Sequence, residues 1–322
     1  MKKYNHLTAE QRYQIEVLIA AEKTQKAIAE LVGVSESTIS RELKRNSGKQ
    51  GYRPRQAQIK TVKRRREVRK AIKMTPELIS VVEAKLREEW SPEQVSGWLK
   101  REMSTAVSHE RIYQHVWSNK RAGGDLYQHL RQSRKQRKKR YGSKDKRGQI
   151  KNRTSIDLRP EVVEEKTRLG DWEIDTVIGQ NHQGALVTVV DRVSKLTLIK
   201  KVDSKHAQGV AAAIIALLKP YEAQTFTITA DNGKEFAEHE KIAAALQASV
   251  YFAHPYHSWE RGVNENTNGL IRQYFPKGSS FADITEARVE AVMNKLNHRP
   301  RKTLNYRTPY EVFFDENRRQ AA

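Results

Sequence analysis

The positive charge of this chain is confined to its first half. Of 322 residues, 60 are Lys or Arg and 38 are Asp or Glu, yet from residue 154 onward bases and acids are equal in number. The surplus is concentrated in two blocks. Residues 51–73 carry ten basic side chains against one acidic, and residues 121–153 carry thirteen against two. Runs of this kind resist burial, because a Lys or Arg leaves water only when it is paired. They predict two basic linkers, 51–73 and 121–153, between folded domains at 1–50, 74–120 and 154–322. A surplus of one sign also predicts a polyanionic partner, with nucleic acid the default. The absence of Cys excludes disulfides, thiolate zinc sites and cysteine nucleophiles. The longest apolar run, Val210 to Leu218, is too short for a bilayer, which needs about 20 residues. Met1-Lys2-Lys3 leads into polar residues rather than an apolar signal region. A soluble, cytoplasmic protein is expected.

The first domain reads as three helices. Thr8 and Gln11 form a capping box at the start of a helix to about Ala21, with Ile15, Leu18 and Ile19 at helical spacing. A short helix follows from Thr24 to Leu31, with Ile28 and Leu31 inward. Gly33 supplies a sharp turn, and Ser35 caps a third helix, Glu36 to Arg45, whose Ile39 and Leu43 face the core. Ser37, Ser40, Arg41, Lys44 and Arg45 are left outward. Short helix, glycine turn and capped helix with Arg and Ser outward is the helix-turn-helix arrangement, which lays its last helix in a DNA major groove. Arg64, Arg65 and Arg66 of the first basic block, and Lys138, Lys139 and Arg140 of the second, are candidate phosphate contacts. Residues 74–120 repeat the pattern of capped helices, with Pro76 at a first helical position and a second capping box at Ser91 and Gln94. That segment reads equally as a second DNA reader or as a dimerisation unit.

From Leu169 the period changes to two. Asp171 to Ile178 alternates, with Trp172, Ile174, Thr176 and Ile178 on one face and Asp171, Glu173, Asp175 and Val177 on the other. Two further strands, a helix, a strand ending at Asp231-Asn232-Gly233, a helix, a strand and a helix complete the order βββαβαβα. That is the order of a ribonuclease-H-like fold, so the whole chain reads as an all-α half followed by an α/β domain.

Three carboxylates stand out in this order: Asp175 in the first strand, Asp231 after the fourth, and Glu265 in the helix after the fifth. The first and fourth strands are neighbours in such a fold. Hard oxygen ligands of this kind suit two Mg²⁺ or Mn²⁺ ions about 3.5–4 Å apart, which activate a water or 3′-hydroxyl and stabilise the departing oxygen in phosphoryl transfer. Glu173 competes with Asp175 because both point to one face. Asn268 and Arg272 share a helical face with Glu265, which places a cation beside the carboxylates to hold a phosphate.

Gly170-Asp-Trp-Glu-Ile-Asp175, Ala230-Asp231-Asn-Gly-Lys-Glu-Phe236, the long run Tyr251 to Gly278 and the tail Arg299 to Phe313 resemble the insertion sequence 30 family of bacterial transposases. The likeness covers nearly the whole chain, including Leu7 to Arg45. It implies that Asp175, Asp231 and Glu265 are the DDE triad, with Arg272 as the basic residue seven positions on. Ile174 stands where the resemblance leads one to expect a small residue. Without Cys the chain does not carry the His/Cys zinc module of retroviral integrases. The resemblance further implies recognition of terminal inverted repeats, metal-dependent strand cleavage and transfer, and work on two DNA ends at once. A homodimer or higher homo-oligomer is therefore expected. The competing readings are a DNA-binding regulator with an inactive nuclease-like domain and a ribonuclease acting on RNA–DNA hybrids.

Overall fold

Thr8 and Gln11 exchange the two hydrogen bonds of their capping box, and helix α1 (Ala9–Ala20) begins there. The computed structural model describes residues 6–67, 74–131, 150–255 and 257–320. It divides into two compact units, at 1–72 and 73–322.

In the first unit, α2 (Gln25–Val32) ends at Gly33, whose φ of +73° is the left-handed conformation that only glycine adopts freely. Helix α3 (Glu36–Asn46) follows. Ser35 occupies the cap position, but its hydroxyl bonds to Ser37 and Thr38 rather than to the helix backbone. Ile15, Ile28 and Ile39 make the core. Leu31, expected inward, is exposed, and the next residue, Val32, is buried instead. The first expected linker also differs, since Pro54–Glu67 forms α4, packed on α1 and α3. Ala57 is fully buried, and Arg12 explains how so basic a helix docks. Its guanidinium, 4% exposed, pairs with Glu42 at 2.8 Å and donates to Gln58 and Thr61 of α4. One buried cation ties three helices together.

The second unit begins with α5 (Pro76–Arg87), α6 (Pro92–Glu102) and α7 (His109–Arg121), capped by Thr75, Ser91 and Ser108. A turn at Leu126–His129 folds back so that Leu126 is buried among them. This three-helix body packs against the C-terminal segment of the chain. Gln94 donates to the Pro300 carbonyl, Arg101 pairs with Glu311 at 2.9 Å, and Tyr274 donates to Glu89. Gly97 permits the contact, because a Cβ there would lie about 2.2 Å from the Tyr306 ring. Residues 132–149, which include Lys138, Lys139 and Arg140, lie outside the described residues.

After a one-turn α8 (Val162–Glu165) come β1 (Asp171–Ile178), β2 (Ala185–Asp191), β3 (Thr197–Val202), α9 (Ala207–Leu218), β4 (Thr227–Ala230), α10 (His239–Leu246), β5 (Ser249–Phe252), α11 (Gly262–Tyr274), α12 (Glu286–Asn297) and α13 (Pro309–Gln320). The expected βββαβαβα order is present, and the sheet order β3-β2-β1-β4-β5 makes β1 central. β1 is antiparallel to β2 and parallel to β4, and β4 is parallel to β5. Trp172 and Ile174 face the core under α9 and α10, and Val177 faces the one under α11 and α12. Ile174 is fully buried, so its bulk is absorbed on the side away from the carboxylates. Gly170, at φ +91°, immediately precedes β1, where a Cβ would collide with the Gln224 carbonyl. Among the described residues no helix is long and apolar enough to cross a membrane.

Replacing Arg12 by Ala leaves Glu42 buried without its partner. The expected cost is about 3–5 kcal/mol to the first unit, read as faster amide hydrogen exchange at Ile15, Ile28 and Ile39. Unchanged exchange would show that α4 docks without the ion pair.

Candidate functional site

The register of β1 against β4 sets the site. Asp171, Trp172 and Glu173 pair with Thr227, Ile228 and Thr229, so continuing both strands brings Asp175 level with Asp231. Each carboxylate uses one oxygen locally: Asp175 Oδ1 accepts from the Thr176 amide, and Asp231 Oδ1 from the Gly233 amide, both at 2.8 Å. Their remaining oxygens flank one guanidinium, with Arg261 Nη1 3.4 Å from Asp175 Oδ2 and Arg261 Nη2 3.4 Å from Asp231 Oδ2. Burial pushes the Asp175 carboxyl up to about 6; Arg261 opposes the rise and Asp231 adds to it. Two carboxylates this close call for a cation between them, and Arg261 supplies one.

Helix α11 lies along β1 on the carboxylate face. The Asn264 amide donates to Glu173 Oε2 at 2.9 Å, Asn268 Nδ2 to Asp175 Oδ2 at 3.0 Å, and Arg272 Nη2 to the Ile178 carbonyl at 3.0 Å. Four helical residues rise about 6 Å and two strand residues about 6.6 Å, so contacts spaced by four on the helix fall on nearly alternate positions of the strand. Glu173, 1% exposed, is thus committed to holding the start of α11 and lies 3.5 Å from Arg192 Nε. Arg272 clamps the far end of the helix, its guanidinium near the Phe281 ring and the Ile178 carbonyl. Glu265 is exposed in the first turn of α11. Asp175 and Asp231 are brought together, whereas Glu265 is not drawn in with them. Among the described residues, three His, Asp or Glu donors gather within 4.8 Å only at His254, His257 and Glu260, just ahead of α11.

In the first unit, Ser37, Ser40, Arg41, Lys44 and Arg45 are exposed on α3, and Arg64, Arg65 and Arg66 are exposed on α4. Arg41, Arg45, Arg64 and Arg65 line one groove of about 510 Å³, so two sets of cations distant in sequence share a surface.

A helix-turn-helix domain model matches residues 3–46, and an integrase core domain model matches residues 166–258. The chain is 46% identical to the transposase for insertion sequence element IS4351 of Bacteroides fragilis, over 96% of this chain and 95% of that one. It is 37% identical to the transposase for IS1086 of Cupriavidus metallidurans, over 96% and 94%. It is 36% identical to transposase InsI for insertion sequence element IS30A of Escherichia coli, over 95% and 83%. The chain belongs to the insertion sequence 30 family of transposases. The integrase core match spans Asp175 and Asp231 and ends before Glu265. An integrase-type core works with divalent metal ions, and the oxygen donors of the transposase fit that chemistry. Arg261 is the side chain at the aspartate pair that sequence patterning misses. It lies in a short turn at Ser258–Arg261, outside any periodic element, and only the fold shows what it touches.

Arg261→Gln removes the cation shared by Asp175 and Asp231. Without divalent ions, a loss of about 1–2 kcal/mol is expected, between the worth of an exposed and a buried pair. Mn²⁺ should restore more stability to this variant than it adds to the wild type, as read by thermal denaturation. Equal Mn²⁺ effects on both would contradict the assignment.

Proposed function

We propose that the transposase cuts and joins DNA at a DDE site formed by Asp175, Asp231 and Glu265, acting on the ends of its own element in the cytoplasm. The observation that carries this reading is the pairing of Asp175 and Asp231 across one guanidinium, at the edge shared by β1 and β4. Asp175, Asp231 and Glu265 would hold the metal, two Mg²⁺ or Mn²⁺ ions in this proposal. Bound there, such ions supply an activated water or 3′-hydroxyl and charge stabilisation for the departing oxygen.

The side chains prepare that chemistry. Asn268 orients Asp175 through its amide, and the Thr176 and Gly233 backbones fix one oxygen of each aspartate. Arg261 neutralises the pair before metal arrives and, once released from it, is a ready partner for a DNA phosphate. Glu265, on an exposed first turn, completes the donor set from the solvent side. Arg272 holds α11 to the end of β1 and positions the helix that carries Glu265.

Ser37, Ser40, Arg41, Lys44 and Arg45 of α3 are proposed to read the terminal repeats, with Arg64, Arg65 and Arg66 of α4 on adjacent phosphates. Paired ends call for a homodimer or a higher homo-oligomer on DNA.

Asp175→Ala, Asp231→Ala or Glu265→Ala should abolish strand cleavage of end-containing DNA while repeat binding survives. Full cleavage by a folded, DNA-bound Glu265→Ala protein would refute the triad. For the reader, Arg41→Ala should weaken repeat binding by about 1–3 kcal/mol, and Lys44→Ala should lower the slope of log affinity against log salt by about one. A salt-independent affinity would remove the phosphate contacts from the account.

A further inference from the structure

Behind α11 lies a cavity of about 230 Å³. Its wall includes Val263, Asn266, Thr267 and Leu270. With about 3.6 residues per turn these fall on the opposite side of the helix from Glu265 and Arg272. The cavity is separate from the aspartate pair, and its chemistry is cationic. Lys166, Arg192, Lys195 and Arg301 line it, against the carboxylates of Glu173 and Glu260. Both carboxylates are already engaged. Glu173 accepts from the Asn264 backbone amide and pairs with Arg192, and Glu260 takes hydrogen bonds from His254 and His257.

The guanidiniums are not so well served. Arg192 is 3% exposed; Glu164 takes its Nη2 at 3.1 Å and Glu173 lies 3.5 Å from its Nε, but Nη1 has no acceptor. Arg301 donates from Nη2 to the Leu296 carbonyl, while its Nε has no acceptor. Buried N–H donors without acceptors are costly, and charged ones the more so. The positive charge is also crowded. Burial pushes Arg301 down to about 10, with Arg299 and Arg131 adding to the effect, and burial together with Lys166 lowers Lys195. At the rim stands Trp259, 69% exposed, its indole stacked on His257 at 4.3 Å. Trp259 precedes α11 by three residues and Glu265 lies in its first turn, so both stand at the same end of the helix.

We propose that this cavity is a phosphate subsite that accepts one backbone phosphate of the DNA, with Trp259 stacking on a neighbouring base. Fork-shaped guanidiniums with unmet donors suit a phosphodiester, and an exposed indole beside them suits the face of a base. The assignment rests on the reading of the chain as an enzyme that acts on DNA.

The test irradiates the full-length protein with oligonucleotides carrying bromodeoxyuridine and maps the crosslinked peptides. The peptide containing Trp259 should crosslink. Lys166→Gln/Lys195→Gln should lower that yield by about tenfold or more, as expected when phosphate contacts are lost, while crosslinks in α3 persist. The single variant Lys166→Gln, at an exposed residue, serves if the double variant does not fold. An unchanged Trp259 yield in a folded variant overturns the subsite. A second arm uses inorganic phosphate alone. If it stabilises the wild type but not the variant while Trp259 never crosslinks, the cavity takes a free anion and the DNA assignment falls. Cleavage of end-containing DNA by the wild type, measured on the same preparations, is independent of this outcome. Its absence with the Trp259 crosslink intact would remove the catalytic reading and leave the subsite standing.

Discussion

The parallel pairing of β1 with β4 is the constraint on which the site depends. It sets Asp175 level with Asp231 and leaves a gap that a cation fills. A slip of one residue would turn Asp175 into the apolar layer under α9 and bring Trp172 out of it. The pairing is held from several directions. Trp172 and Ile174 are fully buried on one side, Gly170 allows the close approach of the Gln224 carbonyl, and Thr227 donates to Asp171 at 2.7 Å. The buried Asp191 carboxylate accepts from the Gly170 amide and from Ser194, which ties the start of β1 to the β2–β3 turn.

Helix α11 converts that strand register into a site. Its residues at 264, 268 and 272 touch β1 near 173, 175 and 178, so helix and strand fix one another along their common length. The outer residues of the same helix then serve two surfaces. Glu265 stands free on one, and on the other a cationic cavity retains guanidinium donors without acceptors. The arrangement suits a nucleic-acid enzyme, in which rigid carboxylates and cations for phosphate act on one substrate.

Much of this was legible in the residues. Alternation from Asp171 to Ile178 placed both faces of β1 correctly, and the capping residues Thr8, Ser91 and Ser108 marked helix starts that the structure contains. The misreadings have physical causes. Residues 54–67 have few apolar residues, so their docking through Ala57 and the buried Arg12–Glu42 pair leaves almost no periodic trace. Leu31 and Val32 are adjacent, and period alone did not decide which turned inward. Arg261 sits in a turn, where spacing carries no information about tertiary partners. Glu265 could be placed on a helical face from sequence, but not at a distance from Asp175.

That distance bears on the central claim, and the positions of metal in a crystal soaked in Mn²⁺ would measure it. Anomalous scattering should show manganese between Asp175 and Asp231, with Arg261 displaced and Glu265 turned in as a ligand. Manganese found only at His254, His257 and Glu260, with Arg261 still bridging the aspartates, would contradict the account.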